Sequence, residues 1–106
     1  MNEILKIKNV NELDKLITKN GRVVLKAGAD WCGPCKVLEN TLKNLDKNEI
    51  TDTVIAEFDV DEADDIVQRL GIRNIPVLFF YKDGEENDKV IGNVTANNIY
   101  AKIKKL

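Results

Sequence analysis

The residues of this chain best suited to chemistry are Cys32 and Cys35, the only two cysteines among its 106 residues. Thiol–disulfide exchange needs one exposed thiolate that attacks a disulfide and a second thiol that resolves the mixed disulfide. Two sulfurs three positions apart lie on the same side of the first turn of a helix, where free N–H groups favour a thiolate. We therefore expect Cys32 to be the exposed attacking thiol and Cys35 the more buried resolving thiol.

Other uses of the cysteine pair fit the sequence less well. A structural disulfide stabilises a protein mainly by closing a long loop, and this pair closes almost none. A zinc site needs about four ligands, and one Cys-x-x-Cys in a chain without histidine supplies two. The interpretation that remains is a pair that exchanges electrons, with no metal and no bound cofactor.

Length and composition favour a single domain spanning residues 1–106. Hydrophobic residues make up 43% of the chain and charged residues 32%, a balance typical of a globular domain with one core. The net charge is −2 and no basic block exists, so we expect no nucleic-acid partner. No apolar run approaches the ~18 residues that cross a bilayer, and the N-terminal residues lack the layout of a signal peptide. We expect a cytoplasmic monomer that binds no membrane.

The hydrophobic pattern alternates between strand and helix periods, which is typical of an α/β domain. It predicts helices at 10–20, from the cysteine pair to about 47, at 61–70 and after Thr95, and strands at 4–7, 22–29, 53–60, 77–81 and 89–91. The early βαβ units favour parallel pairing, and Asp83-Gly84 predicts a final antiparallel hairpin. We therefore expect a central mixed β-sheet of about five strands flanked by four helices.

The segment around the cysteines resembles the active site of the thioredoxin family. Residues 31–36 have that family's sequence Trp-Cys-Gly-Pro-Cys-Lys, and about 40 residues later the segment 71–76 resembles the one that contains its cis-proline. The resemblance covers nearly the whole chain. It implies the thioredoxin fold, the reduction of disulfides in protein substrates, and a thioredoxin reductase as the electron donor.

The resemblance also implies roles for residues around the pair. Gly33 and Pro34 are expected to tune the redox poise; Pro34 has a fixed φ and lacks an N–H where a helix needs none. A cis peptide before Pro76 is expected to leave the preceding backbone free to pair with an extended substrate. Trp31 is either a packing residue or an exposed partner contact, and we favour the second. The expected substrate-binding residues are Trp31, Ile75, Pro76 and Gly92.

The sequence departs from the family pattern beneath the cysteines. Thioredoxins usually carry a buried aspartate where this chain has Lys26, and commonly a lysine on the neighbouring strand where it has Glu57. Strand alternation points Lys26 into a layer that a helix covers, where a lone charge is costly. We predict that Lys26 and Glu57 form an ion pair beneath Cys35. The alternative is that both side chains reach solvent at the sheet edge.

Two roles are open for that pair. Glu57 could accept the proton of Cys35, directly or through water. Lys26 could instead stabilise the Cys35 thiolate electrostatically. Next to Lys26 along the strand, Ala27 and Gly28 replace large aromatic residues that are typical of the family. We expect the region beside the cysteines to be either less filled or repacked by other side chains.

Three functions would use these features differently. The leading hypothesis is a disulfide reductase. A disulfide oxidant or isomerase on the same fold is disfavoured by the Gly33-Pro34 dipeptide and by the N-terminal sequence. A binding subunit would use the surface around Trp31, Ile75 and Gly92 as a docking platform, with the redox activity incidental.

Overall fold

A five-stranded β-sheet forms the centre of the computed structural model, which describes residues 1–106. Its strands, in chain order, are β1 (Leu5–Lys6), β2 (Arg22–Gly28), β3 (Thr53–Asp59), β4 (Val77–Lys82) and β5 (Glu85–Ile91). The helices are α1 (Val10–Lys19), α2 (Gly33–Lys43), α3 (Asp64–Leu70) and α4 (Ala96–Lys104), with a 3₁₀ turn at Lys47–Glu49. The strand order across the sheet is β1-β3-β2-β4-β5.

The pairing makes the sheet mixed, as predicted. β1, β3 and β2 are parallel, whereas β4 runs antiparallel to both β2 and β5. The parallel pairs arise because α1 and α2 carry the chain back across the sheet between successive strands. β2 is thus central and pairs with β3 on one side and β4 on the other. The loop that follows β2 therefore starts from a strand that is held on both sides.

Both faces of β2 are buried, and its side chains alternate between two cores. Val23, Leu25 and Ala27 face a cluster that includes residues of α1 and α3. Val24 faces the other cluster, which includes residues of α2 and α4. Full burial of one such aliphatic side chain contributes about 1.5–3 kcal/mol to stability. Lys26 follows the same alternation as Val24, so its side chain points toward the face that α2 covers.

Most element boundaries lie within one residue of the sequence prediction, and three differ by more. β5 begins at Glu85 rather than at residue 89, because an exposed edge strand needs no apolar alternation to pair with β4. The turn before it has positive φ at both Asp83 (50°) and Gly84 (87°), the conformation that a tight hairpin requires. α3 begins at Asp64 rather than 61, and α2 ends at Lys43 rather than near 47. None of the helices has the length and apolarity needed to cross a membrane.

The C-terminal end of α2 is tied to the first residues of the chain. The Asn2 side chain donates hydrogen bonds to the carbonyls of Leu42 at 3.1 Å and Leu45 at 2.8 Å. The backbone N–H of Asn2 donates to the carbonyl of Lys43 at 2.8 Å. The last carbonyls of a helix have no hydrogen-bond donor within the helix, and Asn2 supplies donors at this end of α2. These hydrogen bonds fix the end of α2 that lies far from the cysteines.

Replacing Asn2 tests this attachment. We expect Asn2→Ala to lower the free energy of unfolding by about 1–2 kcal/mol, because helix-end carbonyls lose their donors. Urea unfolding followed by circular dichroism measures the change. Asn87→Ala, at an exposed site on β5, is the matched control and should stay within about 0.5 kcal/mol of the parent. Equal stability of the two variants would contradict the role of Asn2.

Candidate active site

Cys32 is the N-cap of α2 and forms a disulfide with Cys35, one turn into the helix. The two Cα atoms lie 5.3 Å apart. The Sγ atom of Cys32 accepts a hydrogen bond from the backbone N–H of Cys35 at 3.2 Å. Since this N–H and the positive end of the helix dipole both face Sγ, the reduced form of Cys32 is placed to be a thiolate.

The two sulfurs differ in burial in the predicted order, but not to the predicted extent. Cys35 is 1% exposed and Cys32 is 6% exposed, so the expectation of an exposed Cys32 is wrong for the disulfide form. The reason is that both cysteines pack with Ala29 against Val60 and Ile75. The pair meets solvent at the turn between them, where Gly33 and Pro34 are exposed.

Trp31 lies on the surface beside the pair and is 71% exposed, which excludes the packing interpretation. Its indole Nε1 donates a hydrogen bond to the Asp61 carboxylate at 2.7 Å. The sequence analysis placed Asp61 in the first turn of α3, but the residue precedes that helix. Its backbone N–H is held by the Asp59 side chain at 2.8 Å. Asp61 therefore orients the indole across the surface next to Cys32.

The segment before β4 borders the disulfide on another side. The Ile75-Pro76 peptide is cis, as expected, and the Ile75 side chain packs against the cysteine pair. The backbone N–H of Gly92 donates to the Pro76 carbonyl at 2.8 Å, and Gly92 has a φ of 91°, which favours glycine. The backbone of Ile75 makes no hydrogen bond within the protein. An unpaired backbone segment thus lies in contact with the disulfide.

Lys26 is 5% exposed and is the one buried charged residue of the protein. Its Nζ lies 3.0 Å from Oε1 of Glu57, so the predicted ion pair is present and the solvent-exposed alternative is wrong. A second carboxylate also contacts it: Oε2 of Glu39 is 3.5 Å from the same Nζ. The other oxygen of Glu39, Oε1, lies 3.1 Å from Nζ of Lys43. We call these four residues the charge network.

Glu39 was missed by the sequence analysis. The signal that could have found it is its spacing, because a residue four positions after Cys35 lies on the same helix face. The hydrogen bond from Lys43, supported by the charge of Lys26 and opposed by partial burial, lowers the pKa of Glu39 below its ordinary value of 4.5. Glu39 is therefore ionised at neutral pH.

Gly28 lies where the charge network meets the disulfide. A Cβ atom on Gly28 would lie 3.0 Å from Cε of Lys26, 3.2 Å from Cβ of Cys35 and 3.3 Å from Sγ of Cys35. Both outcomes expected for this region are present. The end of the Lys26 stem and Cys35 lie against Gly28, and Gly28 also lines an open cleft.

Solvent has access to the charge network through a cleft of about 440 Å³. Cys35, Lys26, Glu39 and Glu57 all line this cleft. The arrangement places two carboxylates and Cys35 along one solvent-accessible cleft. The protein contains no group of three or more His, Cys, Asp or Glu side chains placed to share a metal ion.

Comparison with known proteins matches this geometry to one family. The family model described as Thioredoxin matches residues 4–105. Among curated proteins, the chain is similar to the thioredoxin of Mycoplasmoides gallisepticum, with 37% identity over 98 residues that cover 92% of this chain and 97% of that protein. It is also similar to thioredoxin-2 of Saccharomyces cerevisiae, with 31% identity over 90 residues that cover 84% and 86%.

Solved structures agree over almost the whole chain. A mutant thioredoxin from Halobacterium salinarum superposes with a TM-score of 0.88 at 33% identity, covering 97% of this chain and 89% of that one. Oxidised mitochondrial thioredoxin 3 from Saccharomyces cerevisiae gives 0.86 at 34% identity, covering 97% and 95%. A chain from a study of thiol resolution in a yeast mitochondrial 1-Cys peroxiredoxin by the glutathione and thioredoxin systems gives 0.86 at 32% identity, covering 98% and 96%. The thioredoxin fold expected from the resemblance is confirmed.

Substitution of Gly28 tests how tightly the charge network packs against Cys35. We expect Gly28→Ala to destabilise the oxidised protein by about 1–3 kcal/mol, because the new methyl group overlaps Lys26 and Cys35. At Gly33 a Cβ would meet nothing within 4 Å. The control Gly33→Ala should therefore be neutral or stabilising by up to about 1 kcal/mol. Urea unfolding measures both variants, and a Gly28→Ala protein as stable as the parent would contradict the packing.

Proposed function

This chain belongs to the thioredoxin family of thiol–disulfide oxidoreductases, and on that premise we propose that it reduces disulfides in other proteins. The observation that carries the proposal is the position of the Cys32–Cys35 pair at the N-terminus of α2. The N–H of Cys35 donates to Sγ of Cys32, which supports the assignment of Cys32 as the attacking sulfur. Gly33 and Pro34 form the turn between the two cysteines and, in this proposal, tune the redox potential of the pair.

The proposed reaction has two exchange steps. The Cys32 thiolate attacks one sulfur of the substrate disulfide; a bond forms between Cys32 and that sulfur, and the other substrate sulfur leaves and takes up a proton. The Cys35 sulfur then attacks Sγ of Cys32. This forms the Cys32–Cys35 disulfide and releases the second substrate thiol, so that two electrons have passed to the substrate. Because the two sulfurs are the redox centre, the proposal needs no bound cofactor.

The surface around the disulfide fits an extended protein segment. Trp31 offers an exposed aromatic ring beside Cys32, and Gly92 leaves the opposite border free of side chain. Between them, the free backbone of Ile75 can pair with a substrate strand that places its disulfide against Cys32. We assign Trp31, Ile75, Pro76 and Gly92 to substrate binding.

The proposed partners are disulfide-containing proteins and a thioredoxin reductase. The similarity to a chain studied with a yeast peroxiredoxin supports a protein rather than a small-molecule substrate. A reductase must return two electrons to the Cys32–Cys35 disulfide after each turnover. A dithiol kept reduced in this way works in a reducing compartment, and we place it in the cytoplasm, acting as a monomer.

We also propose that Glu57 accepts the proton of Cys35. A resolving thiol must lose its proton before it attacks, and a carboxylate is a suitable acceptor. Glu57 contacts Lys26, whose stem packs beside Cys35, and both line the cleft that admits water. In this proposal the proton passes from Sγ to Glu57 directly or through water in the cleft. Lys26 contributes its positive charge, which favours the Cys35 thiolate while the proton is removed.

Cysteine variants test the two exchange steps. In an insulin disulfide reduction assay, Cys32→Ser should reduce activity to the background of the assay, because no attacking sulfur remains. Cys35→Ser should accumulate a mixed disulfide with insulin, which mass spectrometry detects as one added chain. A protein with both substitutions should bind no insulin covalently. Retained reductase activity in Cys32→Ser would contradict the proposal and favour a docking role.

A Glu57 variant tests the proton acceptor. We expect Glu57→Gln to slow insulin reduction about 10- to 100-fold at neutral pH, because an amide cannot take the proton of Cys35. Glu62 lines the same cleft and is exposed, but it has no contact with Lys26. Glu62→Gln is therefore the matched control and should react at the parent rate. Parent rates for Glu57→Gln across neutral pH would rule out the acceptor role.

A further inference from the structure

Glu39 is the second carboxylate that contacts the buried Lys26 ammonium, and the reaction above gives it no part. It lies on α2, one helical turn after Cys35, whereas Glu57 lies on β3 directly opposite Lys26 in the sheet. The two carboxylates thus approach the same Nζ from different elements, at 3.5 Å and 3.0 Å. Of the two cations in the charge network, only Lys26 is buried, and it has two carboxylate partners.

The resolving step changes the charge of one of these two carboxylates. As Glu57 accepts the proton of Cys35, its carboxylate becomes neutral. Lys26 is 5% exposed, and an ammonium at that depth is costly without an ionised partner. Glu39 is the one other carboxylate within 4.0 Å of Nζ. Lys26 therefore stays paired during the step only if Glu39 keeps its charge.

The contacts of Glu39 suit it to that task. Lys43 holds its second oxygen at 3.1 Å, and this hydrogen bond lowers the pKa of Glu39. Glu57 has no such second cation, because Lys26 is its only salt-bridge partner. Of the two carboxylates, Glu39 has two cations that favour its charged form, and Glu57 has one.

Other charged groups face the cleft but make no contact of this kind. No other lysine lies within 4.0 Å of a carboxylate oxygen of Glu39 or Glu57, and no other carboxylate lies within that distance of Lys26. The remaining charged residues that line the cleft are Lys6, Lys8, Asp30, Lys36, Asp59 and Glu62. They shift the local potential together, but the pairing of Lys26 depends on Glu39 and Glu57.

We propose that Glu39 is a positioning residue for the resolving step: it keeps the Lys26 ammonium paired while Glu57 holds the proton taken from Cys35. The inference rests on the proposed role of Glu57. In the step, the Cys35 proton moves to a Glu57 oxygen and the Cys35 sulfur bonds to Sγ of Cys32. The bond from Cys32 to the substrate sulfur breaks, and the substrate leaves as a thiolate. Glu57 then returns its proton to water in the cleft.

The test follows the resolving step as a function of pH. Reduced protein is mixed rapidly with insulin and quenched with acid, and mass spectrometry measures the mixed disulfide that accumulates when resolution is slow. Glu39→Gln keeps the shape of the side chain and removes its charge. We expect resolution to slow about 3- to 10-fold, and the acid limb of its pH–rate profile to move about one unit lower, because Lys26 then opposes the neutralisation of Glu57 more strongly.

Two controls separate positioning from a structural effect. Glu62→Gln should leave both the rate and the position of the acid limb unchanged. In a Lys26→Met background no buried ammonium needs a partner and only the direct interaction between the two carboxylates remains, so adding Glu39→Gln should move the acid limb by less than it does in the parent. A structural role for Glu39 would instead lower the rate by the same factor at every pH and in both backgrounds.

The outcomes distinguish the inference from the function on which it rests. If Glu57→Gln slows resolution but Glu39→Gln leaves the acid limb in place, the inference about Glu39 is overturned and the acceptor role of Glu57 stands. If Glu57→Gln resolves the mixed disulfide at the parent rate, the acceptor role falls and the inference falls with it. A shift that is larger with Lys26 than without it supports both, and an equal shift in the two backgrounds overturns the inference about Glu39.

Discussion

The pairing of one buried ammonium beneath the disulfide constrains the surroundings of the active site more than any other interaction. Lys26 lies at 5% exposure on the central strand, where removing one partner of a buried ion pair costs about 3–5 kcal/mol. Its position requires Glu57 opposite it on β3 and Glu39 on the covering helix. It also requires Gly28, because the lysine stem fills the space that a side chain there would take. The charge network is thus one unit distributed over β2, β3 and α2.

The same elements connect this network to the chemistry. α2 begins at Cys32, buries Cys35 one turn later and carries Glu39 one turn after that. A single helix therefore sets the positions of the attacking sulfur, the resolving sulfur and a carboxylate of the network. The far end of the helix is held by Asn2. Next to the disulfide, Trp31 and the free backbone of Ile75 form the surface that we assign to substrates.

Much of this arrangement could be predicted from the sequence, because it depends on local patterns. Period-two alternation placed Lys26 on the face covered by α2, and the exchange of charge types between positions 26 and 57 predicted their ion pair. The spacing of Glu39 from Cys35 places it on the same helix face, but its contact with Lys26 depends on how that helix is oriented over the sheet. The contact of Asp61 with Trp31 likewise depends on the path of a loop, which spacing along the chain does not specify. The polar first half of β5 was missed for a different reason: an edge strand is held by backbone pairing and needs no apolar face.

The low exposure of Cys32 in the disulfide form also depends on tertiary packing, in this case against Ile75 and Val60. If this buried pair is a reductant, its midpoint potential is low. Equilibration of the protein with thiol–disulfide buffers at neutral pH gives the potential from the fraction of oxidised Cys32–Cys35. We expect a midpoint near the roughly −270 mV of thioredoxin itself. A midpoint near about −120 mV, the value of a strong disulfide oxidant, would contradict it.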